Sequence, residues 1–218
     1  MRSLLLLLAN FAFSLSVYCS TQLPDKIFYK DSTYSLETNP LVYYFKEHPE
    51  KRPMLGIGSK ASCLLRAYVG SFSIINNRLY VKNIEYLDQV KDSKNRDSLA
   101  FVSAMNVVFP GQTLFSCDWY SGYLVLSYGK KIKNVDMSYA SVYEKYYVIK
   151  VVKGEILGEQ KMSFDEYEKF KDSQFGLFQQ TSEYKMIREK FEKDGKSIRE
   201  SDEWLKMFPP LFTSKIYN

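Results

Sequence analysis

The chain has 218 residues, of which 45% are hydrophobic and 25% charged, with 10 Gly, 7 Pro, 3 Cys and one His. That apolar content excludes a disordered or low-complexity chain, and the length suits one domain with a sizeable core. The formal charge of +5 is modest, no nucleic-acid-binding motif accompanies it, and one His with three Cys argues against a zinc site.

The N-terminus reads as a secretory signal. Arg2 gives a positive n-region, Leu4–Phe13 an apolar h-region, and Ser14-Leu15-Ser16 a small-x-small c-region. A buried N-terminal helix is the competing reading, but no polar face interrupts Leu4–Leu8. No stretch is apolar for long enough to span a bilayer. Cys19 stands where a lipoprotein signal would place its acylated residue, although the bulky Tyr18 precedes it. The expected division is therefore 1–20 as signal peptide, cleaved or lipidated near Cys19, and 21–218 as a single α+β domain. Cys63 and Cys117 then remain as an even pair, able to form one disulfide in an oxidising compartment or to stay as buried thiols.

Past the signal, Lys26–Lys30 and Thr33–Leu36 read as short strands around Asp31-Ser32. Asn39-Pro40 opens a helix over Leu41–Glu47, with His48 at its C-terminus, and Pro49 and Pro53 end it. Met54–Lys60 is a loop whose Gly56-Ile57-Gly58-Ser59 lacks the third glycine of a phosphate-binding fingerprint. Cys63–Ile75 and Leu79–Leu87 form a hairpin about Asn76-Asn77. Asp88–Arg96 is a polar loop. Ser98–Phe109 is expected to be a helix with Phe101, Met105 and Val108 on one face, stopped by Pro110-Gly111.

Thr113–Trp119 and Gly122–Tyr128 are the next strands, followed by Lys130-Lys131 and Lys133 as a solvated turn. Val142–Val152 turns through Lys153-Gly154 into Glu155–Met162. Of the tyrosines at 139, 143, 146 and 147, alternation sends Tyr143 and Tyr147 to one face and Tyr146 to the other. Ser163 and Glu166 make a capping box for a helix bearing Phe164, Tyr167 and Phe170. A second helix carries Tyr184, Ile187 and Phe191 inward, and a third runs from Ser201 through Trp204 and Phe208 to Pro209-Pro210. Strands first and helices last, without β-α-β-α alternation, predict an α+β fold: an antiparallel sheet built from hairpins, with helices toward the C-terminus.

Several segments together resemble a group of uncharacterised bacterial proteins without assigned activity. They are Tyr34-Ser35-Leu36 with Asn39-Pro40-Leu41, Arg66-Ala67-Tyr68-Val69, Asn77–Lys82, Asp118–Gly122 through Tyr128-Gly129-Lys130, and Tyr146–Lys150 through Glu166–Lys171. The resemblance spans Tyr34 to Lys171. It implies a bacterial origin and no catalytic residue.

Nucleophilic catalysis by a triad needs a histidine base, and only His48 exists. Ser127–Lys130 and Ser182–Lys185 match S-x-x-K without its companion motifs. Asp118, Asp136 and Glu144 lie among aromatics, as acids of a glycoside hydrolase would. The most distinctive local feature is Cys117–Tyr123, where Asp118, Trp119, Tyr120 and Tyr123 gather at a strand corner. Exposed, they form a recognition patch; buried, Trp119 fills the core and Asp118 caps the turn. The expectation is an exported protein, periplasmic, cell-surface or secreted, that acts by binding a protein or an envelope ligand, for example as an inhibitor or immunity-type protein. It has no cofactor, no nucleic-acid partner and an open oligomeric state. The alternative is a carboxylate-dependent hydrolase of an envelope polymer.

Overall fold

Three tight turns set the β-structure. In the computed structural model, which describes residues 23–53, 64, 66–91, 94–133 and 141–217, two-residue loops at Lys30-Asp31, Asn76-Asn77 and Lys153-Gly154 all have positive φ. That backbone gives the twist that strands of a hairpin need. The loops join β1 (Asp25–Tyr29) to β2 (Ser32–Leu36), β3 (Val69–Ile75) to β4 (Arg78–Lys91), and β8 (Val142–Val152) to β9 (Glu155–Ser163). Between them lie β5 (Asp97–Ser103), β6 (Phe115–Ser116) and β7 (Gly122–Lys133).

The fold is α+β, with a mostly antiparallel sheet that closes on itself. Strands follow one another as β3-β1-β2-β7-β8-β9-β4, and β4 pairs back to β3. The β1–β3 ladder is parallel. The β4–β9 seam is a single pair, Arg78 with Glu155, reinforced by backbone bonds from Leu79 to Gly154 and from Ile156 to Asn77. Alternation along each strand sends Ile27, Leu36, Phe72, Val81, Leu124, Leu126, Ile149 and Val151 into the barrel core. Helix α1 (Pro40–Glu47) adds Leu41, Tyr44 and Phe45, spaced i, i+3, i+4, to the same core.

The outer wall is covered on one side. Val125, Tyr146 and Val148 face outward and meet Tyr167 of α3 (Phe164–Phe178), whose ring stacks on Tyr146 at 4.0 Å. The expected Ser163–Glu166 capping box starts this helix. Then α4 (Ser182–Lys193), α5 (Ile198–Lys206) and α6 (Pro210–Thr213) enclose a small core of Phe175, Phe178, Tyr184, Leu205 and Phe212. Ile187 and Phe191 pack against it from α4.

Six local expectations need correction. Ser98–Phe109 is not one helix: it is strand β5 and then a single-turn helix, α2 (Met105–Val108). The spacing of Phe101, Met105 and Val108 fits a helix, but Ser98, Ala100 and Val102 also alternate. The far half of β4, which extends to Lys91 through the expected polar loop, offers an edge that β5 covers. Of Thr113–Trp119 only Phe115–Ser116 is strand, and the hairpin strand before Asn76 begins at Val69. Lys130, Lys131 and Lys133 continue β7 as exposed strand residues. Tyr147 faces the barrel core and Tyr146 the outer wall, but Tyr143 packs with Tyr146. Register irregularities between Tyr128 and Lys133 break the alternation at that end. The 1–20 signal, Gly56–Ser59, Cys63, Asp136 and Tyr139 lie outside the described residues.

Candidate functional site

The Asp118–Tyr123 corner does not assemble an exposed aromatic patch. Tyr120 is 1% exposed, and its hydroxyl donates to the Tyr123 carbonyl at 2.8 Å. Trp119 is half-buried, with its ring 5.3 Å from Tyr44 and its Nε1 buried without a partner. Tyr123 belongs to the outer wall, where its ring meets Phe170 at 5.5 Å. Strand direction therefore divides Trp119 and Tyr123 between the two faces of the wall. Asp118 is exposed; it accepts from Ser116 Oγ at 2.5 Å and pairs with Arg78 at 2.6 Å. These partners hold its carboxyl below the usual range, the reverse of what a general acid needs.

Nor do the described acids converge. Glu144 lies beside Gly129 and Lys130, whereas Asp118 precedes the start of β7. The run of β7 between them, Gly122 to Gly129, covers roughly 20 Å at a strand's rise, against the roughly 5–10 Å that paired glycosidase carboxylates require. His48 caps the C-terminus of α1 through its backbone, and its ring packs at a tilt on Tyr44, 4.6 Å between centroids. Ser127 is buried and Lys130 exposed. Cys117 is fully buried, and burial pushes its thiol up.

The more built concavity lies elsewhere. One stripe of α1 enters the barrel; the next stripe, Asn39, Val42, Tyr43 and Lys46, is spaced i, i+3, i+4, i+7 and lines a cleft of about 540 Å³. Pro210, Leu211, Ser214 and Lys215 face it from α6 and the residues after it, with Phe208, Glu183 and Arg66 completing the wall. The size lies within the range of ligand pockets.

Polar groups converge on this largely apolar cleft. Tyr43 Oη and Ser214 Oγ are 2.8 Å apart, tying α1 to the C-terminal helices. Lys215 pairs with Glu183. Arg66 bonds the Leu23 carbonyl and pairs at 2.9 Å with Asp25, which is wholly buried and also accepts from Gly70 N–H. Burial raises the Asp25 carboxyl, with Arg66 opposing. Lys46 is exposed and has no ion-pair partner among the described residues.

Asn39 is the anomaly. It is the N-cap of α1, yet its side chain makes no capping bond, although Asn at that position ordinarily accepts from the first turn. Its Oδ1 is instead buried and unpartnered. The Tyr217 hydroxyl, like Trp119 Nε1, is also buried without a partner; burial, Tyr43 and Glu183 raise its phenol. Sequence reasoning missed this cleft, although the second stripe on α1 was the available signal.

No family model matches the chain, and neither does any curated protein or solved structure. No helix among the described residues is long and apolar enough to cross a membrane, and none of their His, Cys, Asp and Glu side chains cluster as a metal site would. Function therefore rests on the side chains themselves.

Proposed function

We propose that the protein is exported to a bacterial envelope and works by binding, its site being the cleft between α1 and the C-terminal helices. The observation that carries this reading is the cleft of about 540 Å³ itself, apolar along Val42, Phe208, Pro210 and Leu211 and edged by polar side chains such as Tyr43, Lys46 and Ser214. Two helices tied by Tyr43 and Ser214 form a pre-built wall, which limits the ordering cost of binding. The expected partner thus narrows from a protein or envelope ligand to a small envelope ligand, and the site moves from the Asp118–Tyr123 corner to the cleft.

Chain recovered from an exporting host supplies the test. N-terminal sequencing should place its first residue between Val17 and Thr21. Titration with 1-N-phenylnaphthylamine, a neutral apolar fluorophore, should give saturable binding in the micromolar range. Val42→Trp, which fills the cleft from a half-exposed position, should abolish that binding while leaving the melting temperature unchanged. An intact Met1 on cytosolic protein rejects export, and fluorophore binding indifferent to Val42→Trp rejects the cleft.

A further inference from the structure

Beyond the barrel, β4 and β5 run on as a two-stranded ribbon. The β3 ladder ends where Val69 meets Glu85, whereas β5 accompanies β4 from Glu85 to Lys91 through seven consecutive pairs. Among the described residues β5 pairs with no other strand, so its outer edge is a row of open N–H and C=O groups. The bond from Ala104 N–H to the Ile84 carbonyl at 2.7 Å fixes the phase of the ladder, because this pair continues the register of Ser103 with Glu85. Ser98, Ala100 and Val102 therefore turn their backbone groups toward β4, and Asp97, Leu99, Phe101 and Ser103 turn theirs outward.

That outer edge is unguarded. On the other edge of the ribbon, Asp88 Oδ1 accepts from Gln89 N–H at 2.8 Å. Along β5, Ser98-Leu99-Ala100-Phe101-Val102-Ser103 contains no charge and no proline, the residues that chains place on edges to stop pairing. Lys91 holds Asp97, the one charge of the strand, at 2.6 Å. Leu99 and Phe101, 50% and 47% exposed, share one face of the ribbon, with Leu87 directly across from Phe101.

The edge is complementary to itself. Antiparallel pairing of two copies about Ala100 sets Leu99 of each opposite Phe101 of the other, where the outward N–H and C=O groups exchange bonds. Ala100 meets Ala100 of the second copy at the close, non-hydrogen-bonded position, about 4.5 Å between Cα atoms. A small side chain fits there. Asp97 falls opposite Ser103, so no like charges oppose each other. A foreign strand would have to match this pattern; a second copy matches it by symmetry.

We propose that the protein forms a two-fold dimer by antiparallel pairing of β5 with β5 of a second copy, centred on Ala100. A one-strand contact is small beside the roughly 1,200–2,000 Å² of stable complexes, so the dimer is weak and concentration sets its population.

Sedimentation equilibrium of the chain recovered from an exporting host should show monomer and dimer exchanging, with a dissociation constant on the order of 10–100 µM. Phe101→Pro removes an outward N–H and no bond to β4. It should raise that constant at least tenfold, about one hydrogen bond lost from each copy, with the melting temperature little changed. Ala100→Cys reads the register without relying on that variant. Mild oxidant should link it across the two-fold, where the Cα separation is within disulfide reach, while Ser98→Cys, opposite Val102, should not link. Both are compared with the unaltered chain, whose own cysteines set the background. A chain that stays monomeric at concentrations well above that constant overturns the proposal. So does a dimer, or a larger open assembly, in which Ala100→Cys links no better than Ser98→Cys, since its contact then lies on another face or in another register.

Discussion

The barrel and the C-terminal helices are held by different means. Each barrel strand is bonded on both sides, mostly to its neighbour in sequence, while the short β1–β3, β2–β7 and β4–β9 ladders join distant segments to close the ring, and its core draws on strands, α1 and α2 alike. The helices rest on five buried side chains, contributed within 38 residues of chain between Phe175 and Phe212. They attach to the barrel through a small outer-wall cluster of Val125, Tyr146, Val148 and Tyr167, the Tyr123–Phe170 contact, the bond from Tyr123 N–H to the Ser214 carbonyl at 3.0 Å, and the Tyr43–Ser214 contact. The cleft lies across this seam, with α1 on the barrel side and α6 on the other. It is therefore a property of neither half, and whatever loosens the helices removes the site before it harms the barrel.

The strongest way to break that contrast is Phe178→Ala. Phe178 is fully buried at the centre of the helical core, and truncation should cost about 3–5 kcal/mol through the cavity left. Hydrogen exchange should show α3–α6 losing protection while the amides of β7 and β8 keep theirs. Simultaneous loss in both regions would mean that the two form one cooperative unit.

A second probe is pH. Glu37 follows β2 on the outer side of the barrel wall, almost fully buried, and burial raises its carboxyl to about 8. The Ser127 hydroxyl and the more distant Lys171 and Lys131 pull the other way. Tyr146 from β8 and Tyr167 from α3 also feel its charge, and Glu168 faces them. The unfolded chain gives up this proton near 4.5, the folded chain only near 8. Unfolding thus releases a proton throughout that window, and stability falls as pH rises through it. Glu37→Gln should remove a loss on the order of 2–3 kcal/mol between pH 5 and 8, read from urea midpoints. Asp25, also raised, contributes a slope of the same sign to both proteins and cancels in the comparison. Parallel pH profiles for the two proteins would show that Glu37 does not govern the seam.

The smallest effect sharpens the contrast most. A Cβ added at Gly122 would stand 2.1 Å from the Ser214 carbonyl oxygen and 2.8 Å from Tyr120 Oη, so Gly122→Ala must push the C-terminal segment away from the wall. The expected cost is about 1–2 kcal/mol, together with weaker fluorophore binding, although no cleft side chain has changed. Undiminished binding would show that the cleft does not depend on this close approach.

How far the sequence was legible follows the range of the interaction. Asn76-Asn77 and Lys153-Gly154 announced their turns because residues that tolerate positive φ are recognisable one by one. Ser163 and Glu166 announced α3 because a capping box is complete within four residues. Segment 98–109 misled because its apolar positions satisfy two periods, and only the free edge of β4 selects between them. The corner aromatics misled for a related reason. Which of Trp119, Tyr120 and Tyr123 enters the core depends on how β7 sits between β2 and β8.

By itself, then, the sequence determined the class of the fold, its hairpin turns and its helix starts, since backbone preference, capping and alternation act over a few bonds. The tertiary structure decided the closure of the barrel, through the parallel β1–β3 ladder and the Arg78–Glu155 seam. It also decided which face of each tyrosine strand was covered, and it decided the cleft. The cleft exists only once α6 docks opposite α1, and that docking is fixed by burial and by the Tyr43–Ser214 contact between residues 171 positions apart.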